Sequence, residues 1–313
     1  METVKKGKIL VLGAALVYAA MFTSCNMNDD IQDETNPPQA VCFSAGIAGQ
    51  AVQNGAPGTR AAGDAWAAND AIGIFMVGNG TTTIAENAAN KQYTTAGTSA
   101  FTAVPGDEIY YPMDGSAVSF IAYYPWKTGN TLTGNISVDV SGAQDATKQA
   151  AIDLLWSDNA KNFSKASTGN VALEFKHKLS KIVMNCTADA SVGAPLTGMS
   201  VTIKGMNTKN TLKPEDGSLG TANTPAAITP RTITNGSKYD AIVLPGSYAA
   251  DGVTVEFTVG SDTFTWKLPA AAAKFEAGNE YTYEVTLKRT GITVTGTINP
   301  WITVGNNRTG TAE

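Results

Sequence analysis

Val253-Thr254-Val255-Glu256-Phe257-Thr258-Val259-Gly260-Ser261-Asp262-Thr263-Phe264-Thr265-Trp266-Lys267-Leu268 is the stretch that decides the fold class. Val253, Val255, Phe257 and Val259 alternate with polar residues, Gly260-Ser261 supplies a turn, and Phe264, Trp266 and Leu268 resume the alternation. A period of two puts one face in a core and the other in water, so two such runs around a Gly-Ser pair predict a β-hairpin. Tyr281, Tyr283, Val285 and Leu287 alternate with Thr282, Glu284 and Thr286 in the same way. Outward from these, β-branched and aromatic runs at 41–48, 72–77, 108–111, 118–124, 136–140, 171–184, 200–206, 239–244 and 292–298 are separated by Gly, Asn, Asp and Pro. Short strands between turn residues predict an all-β protein of sandwich or barrel type. The helical candidates, 147–156 and 270–275, are short.

With 313 residues the chain is long enough for two domains. The most polar internal stretch, 157–170, predicts a boundary there, giving β-sandwich domains over 61–166 and 167–313. A single large sandwich is the alternative, and twelve strand runs argue against it because open sheets rarely exceed about ten strands.

The start of the chain predicts export. Lys5, Lys6 and Lys8 precede an apolar run over 9–21, followed by Phe22-Thr23-Ser24-Cys25. This order is that of a secretory signal over 1–24, and the run is too short to span a bilayer, which takes about 20 residues. Phe-Thr-Ser-Cys resembles a lipobox, in which Cys25 takes a diacylglycerol and becomes the new N-terminus; ordinary cleavage beside a chance cysteine is the alternative. Acyl chains on Cys25 would anchor the protein to the outer membrane. Asn26-Met27-Asn28-Asp29-Asp30 resembles the surface-export signal of Bacteroidales lipoproteins, and 25–40, polar, acidic and closed by Pro37-Pro38, reads as a disordered tether.

A net charge of −5 offers no basic surface for phosphates and sets nucleic acid aside as a partner. Cys42 and Cys186 remain as one conceivable disulfide in an oxidising compartment, with two free buried thiols the favoured reading. Catalytic and metal chemistry lack residues: His177 is the sole histidine, and no G-x-S-x-G, H-E-x-x-H or P-loop occurs. Val171, Leu173, Phe175, His177 and Leu179 share one strand face, so His177 is expected in the core, neutral and bonded to a backbone or hydroxyl group. No cofactor or metal is expected, and the chain is read as a non-enzyme. Two of the 27 acidic residues meeting across a cleft would make a hydrolase, the third-ranked reading.

Several motifs occur in an informative order. They are Thr59-Arg60-Ala61, Trp66-x-x-Asn69-Asp70-x-Ile72-Gly73-Ile74-Phe75, Phe120-x-Ala122-Tyr123-Tyr124-Pro125, Asp153-Leu154-Leu155 and Phe175-x-His177-x-Leu179-Ser180-Lys181-Ile182. The second half adds Ile242-Val243-Leu244-Pro245, Gly278-x-x-Tyr281-x-Tyr283-x-Val285-x-Leu287 and Ile298-x-x-Trp301. In this order they resemble the Bacteroidales fimbrillin-like proteins, lipoprotein-exported pilus subunits. The resemblance implies two tandem transthyretin-like β-sandwiches and a place on the cell surface in a fimbrium. It also implies a maturation route, in which an Arg-specific surface protease cuts near the N-terminus, the first strand leaves with the lipid, and a strand of the next subunit adds to the vacated groove.

Arg60 is the first arginine of the chain and lies among small residues, Gly55-Ala56-Pro57-Gly58-Thr59-Arg60-Ala61-Ala62-Gly63, so the expected cut falls between Arg60 and Ala61. An exposed loop arginine without that role is the plainer alternative. Upstream, Val41, Phe43, Ala45 and Ile47 alternate with Cys42, Ser44, Gly46 and Ala48, which makes 41–60 a removable strand and cleavage loop. Beyond Trp301 only Ile302 and Val304 are apolar before the polar 305–313, a poor donor strand. This favours an accessory or tip subunit over a shaft subunit, unless 292–298 is the donor. A host or bacterial surface ligand would be the target of adhesion. The competing reading is a glycan-binding surface lipoprotein using Trp66, Trp126, Trp156, Trp266 or Trp301 as sugar platforms.

Overall fold

The computed structural model describes residues 37–48, 65–193, 195–289 and 291–301. Among them the chain is all-β apart from one α-helix and two short 3₁₀ turns.

Seven strands form a closed barrel. They are β1 (Phe43–Ile47), β2 (Ala68–Gly78), β3 (Lys91–Ala96), β4 (Ala100–Ala103), β5 (Val118–Tyr124), β6 (Leu155–Phe163) and β7 (Val171–His177), in the order β1-β4-β3-β2-β5-β6-β7. Every neighbouring pair is antiparallel except the last, β7 with β1, which is parallel over Phe43↔Val171 to Ile47↔Phe175. An odd-numbered ring forces this: directions alternate around six antiparallel ladders and cannot alternate across the seventh. A parallel seam cannot be closed by a tight hairpin and is slightly weaker per residue.

β2 and β5 are buried on both faces. Ile72, Ile74, Met76, Phe120 and Ala122 point into the barrel, while Phe75, Val77, Ile121 and Tyr123 join the core of the second half. Two buried faces explain why Val118-Ser119-Phe120-Ile121-Ala122-Tyr123-Tyr124 reads as a continuous apolar run and not as an alternation.

The second half is built on two five-stranded sheets. Its strands are β8 (Ser180–Ala188), β9 (Ser200–Lys204), β10 (Arg231–Thr234), β11 (Lys238–Val243), β12 (Thr254–Val259), β13 (Asp262–Lys267), β14 (Asn279–Lys288) and β15 (Gly291–Pro300). One sheet has the order β10-β11-β8-β14-β15; the other runs β13-β12-β9 and continues through Ile228–Thr229 and Gly142–Ala143. The hairpin at 253–268 is β12 and β13, paired from Thr254↔Lys267 to Val259↔Asp262.

The handover between halves departs from simple sequence order. The apolar run 171–184 is two strands, β7 in the barrel and β8 in the second half, parted at Lys178 and Leu179. β7 closes the barrel although it follows the polar stretch 157–170, whose first part is itself strand β6. Ile136–Asp139 pairs with Asn207–Leu212, and the helix α1 (Ala146–Ile152) is pinned to the second half through Gln149, whose Nε2 donates to Asp240 Oδ1 at 3.0 Å. The chain also enters the fold earlier than the tether reading allows: Tyr111 N–H donates to Gln39 O at 3.0 Å, and Ala40 bridges Tyr110.

Candidate functional site: the slot of the first strand

β1 is a stave of the barrel wall, not a strand laid on its surface. Val41, Phe43, Ala45 and Ile47 are all buried, and Cys42, Ser44, Gly46 and Ala48 between them are half-buried. Phe43 meets Tyr93 and Phe120 edge-on, with ring centroids 5.0 and 5.1 Å apart. Fully burying Val, Phe and Ile side chains contributes about 1.5–3 kcal/mol each.

The main chain of this segment is tied on both sides. Toward β7, Val171 N–H donates to Cys42 O at 2.8 Å and Ala48 N–H to Phe175 O at 2.6 Å. On the other side, Val41 N–H donates to Ile109 O and Ala45 N–H to Ser99 O, both at 2.8 Å. The β1–β4 register is short, Phe43↔Phe101 and Ser44↔Ala100. Past its end the indole of Trp66 takes over, its Nε1–H donating to Ala45 O at 2.9 Å. The slot wall near Phe43 is uncharged: burial pushes the phenols of Tyr93 and Tyr111 upward, so both stay protonated, and Tyr93 Oη accepts Ile109 N–H at 3.0 Å.

Both neighbours of β1 are remote in sequence. No hairpin joins it to β4 or β7, so its removal would break ladder hydrogen bonds and apolar contacts but no covalent turn. The slot it would leave, between β4 and β7, carries unpaired main-chain groups beside an apolar floor, an arrangement suited to receiving another extended chain.

The other sequence-predicted residues are placed as follows. Cys25, Arg60 and Ala61 lie outside the described residues. Cys186 is a free thiol in the core of the second half, so no Cys42–Cys186 bridge forms. His177 is buried at the end of β7, but its partner is a carboxylate and not the expected backbone or hydroxyl group: Nδ1 lies 3.0 Å from Asp153 Oδ1. Its ring stacks on Trp301 at 3.9 Å, so the pair joins β7 to the residue that follows β15. Of the tryptophans, Trp66, Trp266 and Trp301 are buried. Trp126 and Trp156 are half-buried, their N–H groups donating to Asn90 O at 3.2 Å and Pro214 O at 2.7 Å. Among the described residues no group of three or more His, Cys, Asp or Glu side chains could hold a metal. Sequence reasoning missed Trp66 as part of the slot. Its place six residues after Arg60 was the available signal.

A model of the fimbrillin-like family matches residues 59–301. The chain belongs to the fimbrillin-like family. It is 33% identical over 96% of its length to the candidate fimbrium subunit Fim1C of Bacteroides uniformis, covering 97% of that protein. A crystal structure of a candidate cell adhesion protein from Bacteroides uniformis superimposes with a TM-score of 0.69 at 32% identity, covering 84% of this chain and 98% of the other. The tip fimbrial protein Mfa3 of Porphyromonas gingivalis, C-terminally truncated, shares the fold at a TM-score of 0.55 and 8% identity, over 85% of this chain and all of that one. The match begins at Thr59, so this fimbrillin-like chain carries β1 upstream of the segment that the family model covers.

Proposed function

We propose that this fimbrillin-like protein is a subunit of a cell-surface fimbria with a role in adhesion, and that it matures by exchanging its first strand. In this reading Cys25 carries the lipid that holds the precursor to the outer membrane. An Arg-specific surface protease cuts between Arg60 and Ala61. A strand from a neighbouring subunit then takes the slot of Val41, Phe43, Ala45 and Ile47. The barrel and the second half act as two transthyretin-like β-sandwich units.

The observation that carries the reading is the seating of β1: an apolar stave in the one parallel seam of the barrel, covalently continuous with the rest only through the segment that contains Arg60. Cutting alone does not expel such a strand, because its apolar face and ladder hold it. A competing strand is needed, and this confines exchange to the assembling surface.

A tip or accessory position is favoured over the shaft. The last strand among the described residues, β15, is zipped to β14 over ten pairs, and Trp301 beyond it is buried under His177. Donating β15 would unmake that ladder, and 302–313 offers few apolar residues in its place. The packed tryptophans leave the glycan-platform reading with less support.

N-terminal sequencing of fimbria-associated protein tests the proposal: a start at Ala61 is expected, and a start only at Cys25 contradicts it. Intact mass of the precursor tests the anchor; a Cys25 that is unmodified or in a disulfide removes that part.

A further inference from the structure

Trp66 lies on the retained side of the expected cut, yet it grips the segment expected to leave. Its indole N–H is the donor for Ala45 O at the point where the β1–β4 ladder has run out, a position at which a longer β4 would have offered a backbone N–H. The bond is to main chain, so it does not depend on the side chain presented there.

The ring is held by residues other than β1. Phe101, Phe175 and Tyr124 surround it edge-on at 5.1, 5.3 and 5.5 Å. The following residue, Ala67, is fixed by Asp70, whose Oδ2 accepts Ala67 N–H at 2.8 Å and whose Oδ1 accepts Tyr124 Oη–H at 3.1 Å. All of these groups belong to the barrel that would remain after a cut at Arg60, so none of the contacts that aim the donor leaves with β1.

From this geometry we infer that Trp66 is the main-chain clamp of the slot, a positioning residue that holds and registers whichever extended strand occupies it. With β1 gone its buried N–H has no acceptor in the slot, and an arriving carbonyl at the Ala45 position restores the bond. The clamp therefore grips the resident strand before exchange and an arriving strand after it. The second half of this inference rests on the exchange reading above; the first half does not.

The test uses the full chain and a variant in which the Trp66 indole is replaced by benzothiophene, which keeps the ring and deletes the N–H, with Trp66→Phe as a second variant. In the uncut protein, amide hydrogen exchange is measured over 41–48, and exchange over 279–288 reports whether the fold is intact. After limited digestion at Arg60, release of the N-terminal fragment in the presence of excess isotope-labelled peptide 37–48 as the competing strand is followed by mass spectrometry. Loss of one buried hydrogen bond predicts about tenfold faster exchange at 41–48 and about tenfold faster fragment release, with 279–288 unchanged. Exchange and release within twofold of wild type in the benzothiophene variant would overturn the clamp. Faster exchange at 41–48 in a chain that no Arg-specific protease cuts at Arg60 would uphold the grip on β1 while removing the exchange reading. If Trp66→Phe alone fails to fold, the isostere carries the test.

Discussion

Phe43→Ala is the substitution that most sharply separates a seated first strand from a decorative one. The Phe43 side chain is 1% exposed and is wedged edge-on between Tyr93 and Phe120 in the barrel core. Truncating a buried Phe removes its transfer energy and leaves a cavity, together about 3–5 kcal/mol. That is a large part of the roughly 5–15 kcal/mol that holds a domain folded. With a urea slope of about 2 kcal/mol per molar, the midpoint of the full-length chain should fall by about 2 M. The assay is urea unfolding followed by tryptophan fluorescence, with Trp66 among the reporters. A second arm tests strand exchange: if the first strand is replaced on assembly, fimbriae no longer contain residue 43, and filaments made from the variant should resist urea as well as wild-type filaments do. A midpoint shift below about 0.5 M in the full chain would show that Phe43 does not support the barrel, and the seating argument would fall. A filament weakened as much as the precursor would show that the first strand never leaves.

Three further outcomes are expected. Arg60→Ala should abolish the appearance of an Ala61 N-terminus on cells while leaving the fold of the full chain unchanged, checked by N-terminal sequencing and circular dichroism; continued processing at that bond would remove Arg60 from the scheme. Asp153→Ala should destabilise the chain by about 1–3 kcal/mol, because the buried Nδ1 of His177 loses its hydrogen-bond partner, and a double-mutant cycle with His177→Phe should recover part of the loss. Burial, with a smaller contribution from Glu284, pushes the Cys186 thiol up to about 12 from 9.0. The folded state therefore keeps a proton that the unfolded state gives up, so stability is unaffected below pH 9 and declines as pH rises from there toward 12. Iodoacetamide labelling at pH 8 should accordingly be slow in the native protein and fast in urea.

Much of this architecture is legible in one-dimensional pattern wherever a single face is buried. The hairpin of β12 and β13, the alternation of β14 and the alternate apolar residues of 41–48 each read directly as strands. Strands whose burial is partial or whose register shifts were not legible. β6 has the sequence Leu-Trp-Ser-Asp-Asn-Ala-Lys-Asn-Phe and two register shifts against β5, so its polar residues read as a linker. β3, Lys-Gln-Tyr-Thr-Thr-Ala, buries only Tyr93 and Thr95 and gives no apolar period. The parting of β7 from β8 is hidden because apolar residues continue across it while the strand they belong to changes core. Residues of the slot were legible on the β1 side, where alternation marks them. The opposing wall, made of Trp66, Phe101, Phe175 and the β4–β7 spacing, exists only once the barrel is closed.

If β1 holds its place until another chain takes it, electron cryomicroscopy of the assembled fimbria will show the replacement. The space between Ala100–Ala103 and Val171–His177 should hold a strand traced to a different subunit, with Trp66 donating to its main chain and nothing of residues 43–47 remaining. Density for the chain's own Phe43–Ile47 still lying parallel to Val171–His177 in every subunit would contradict it.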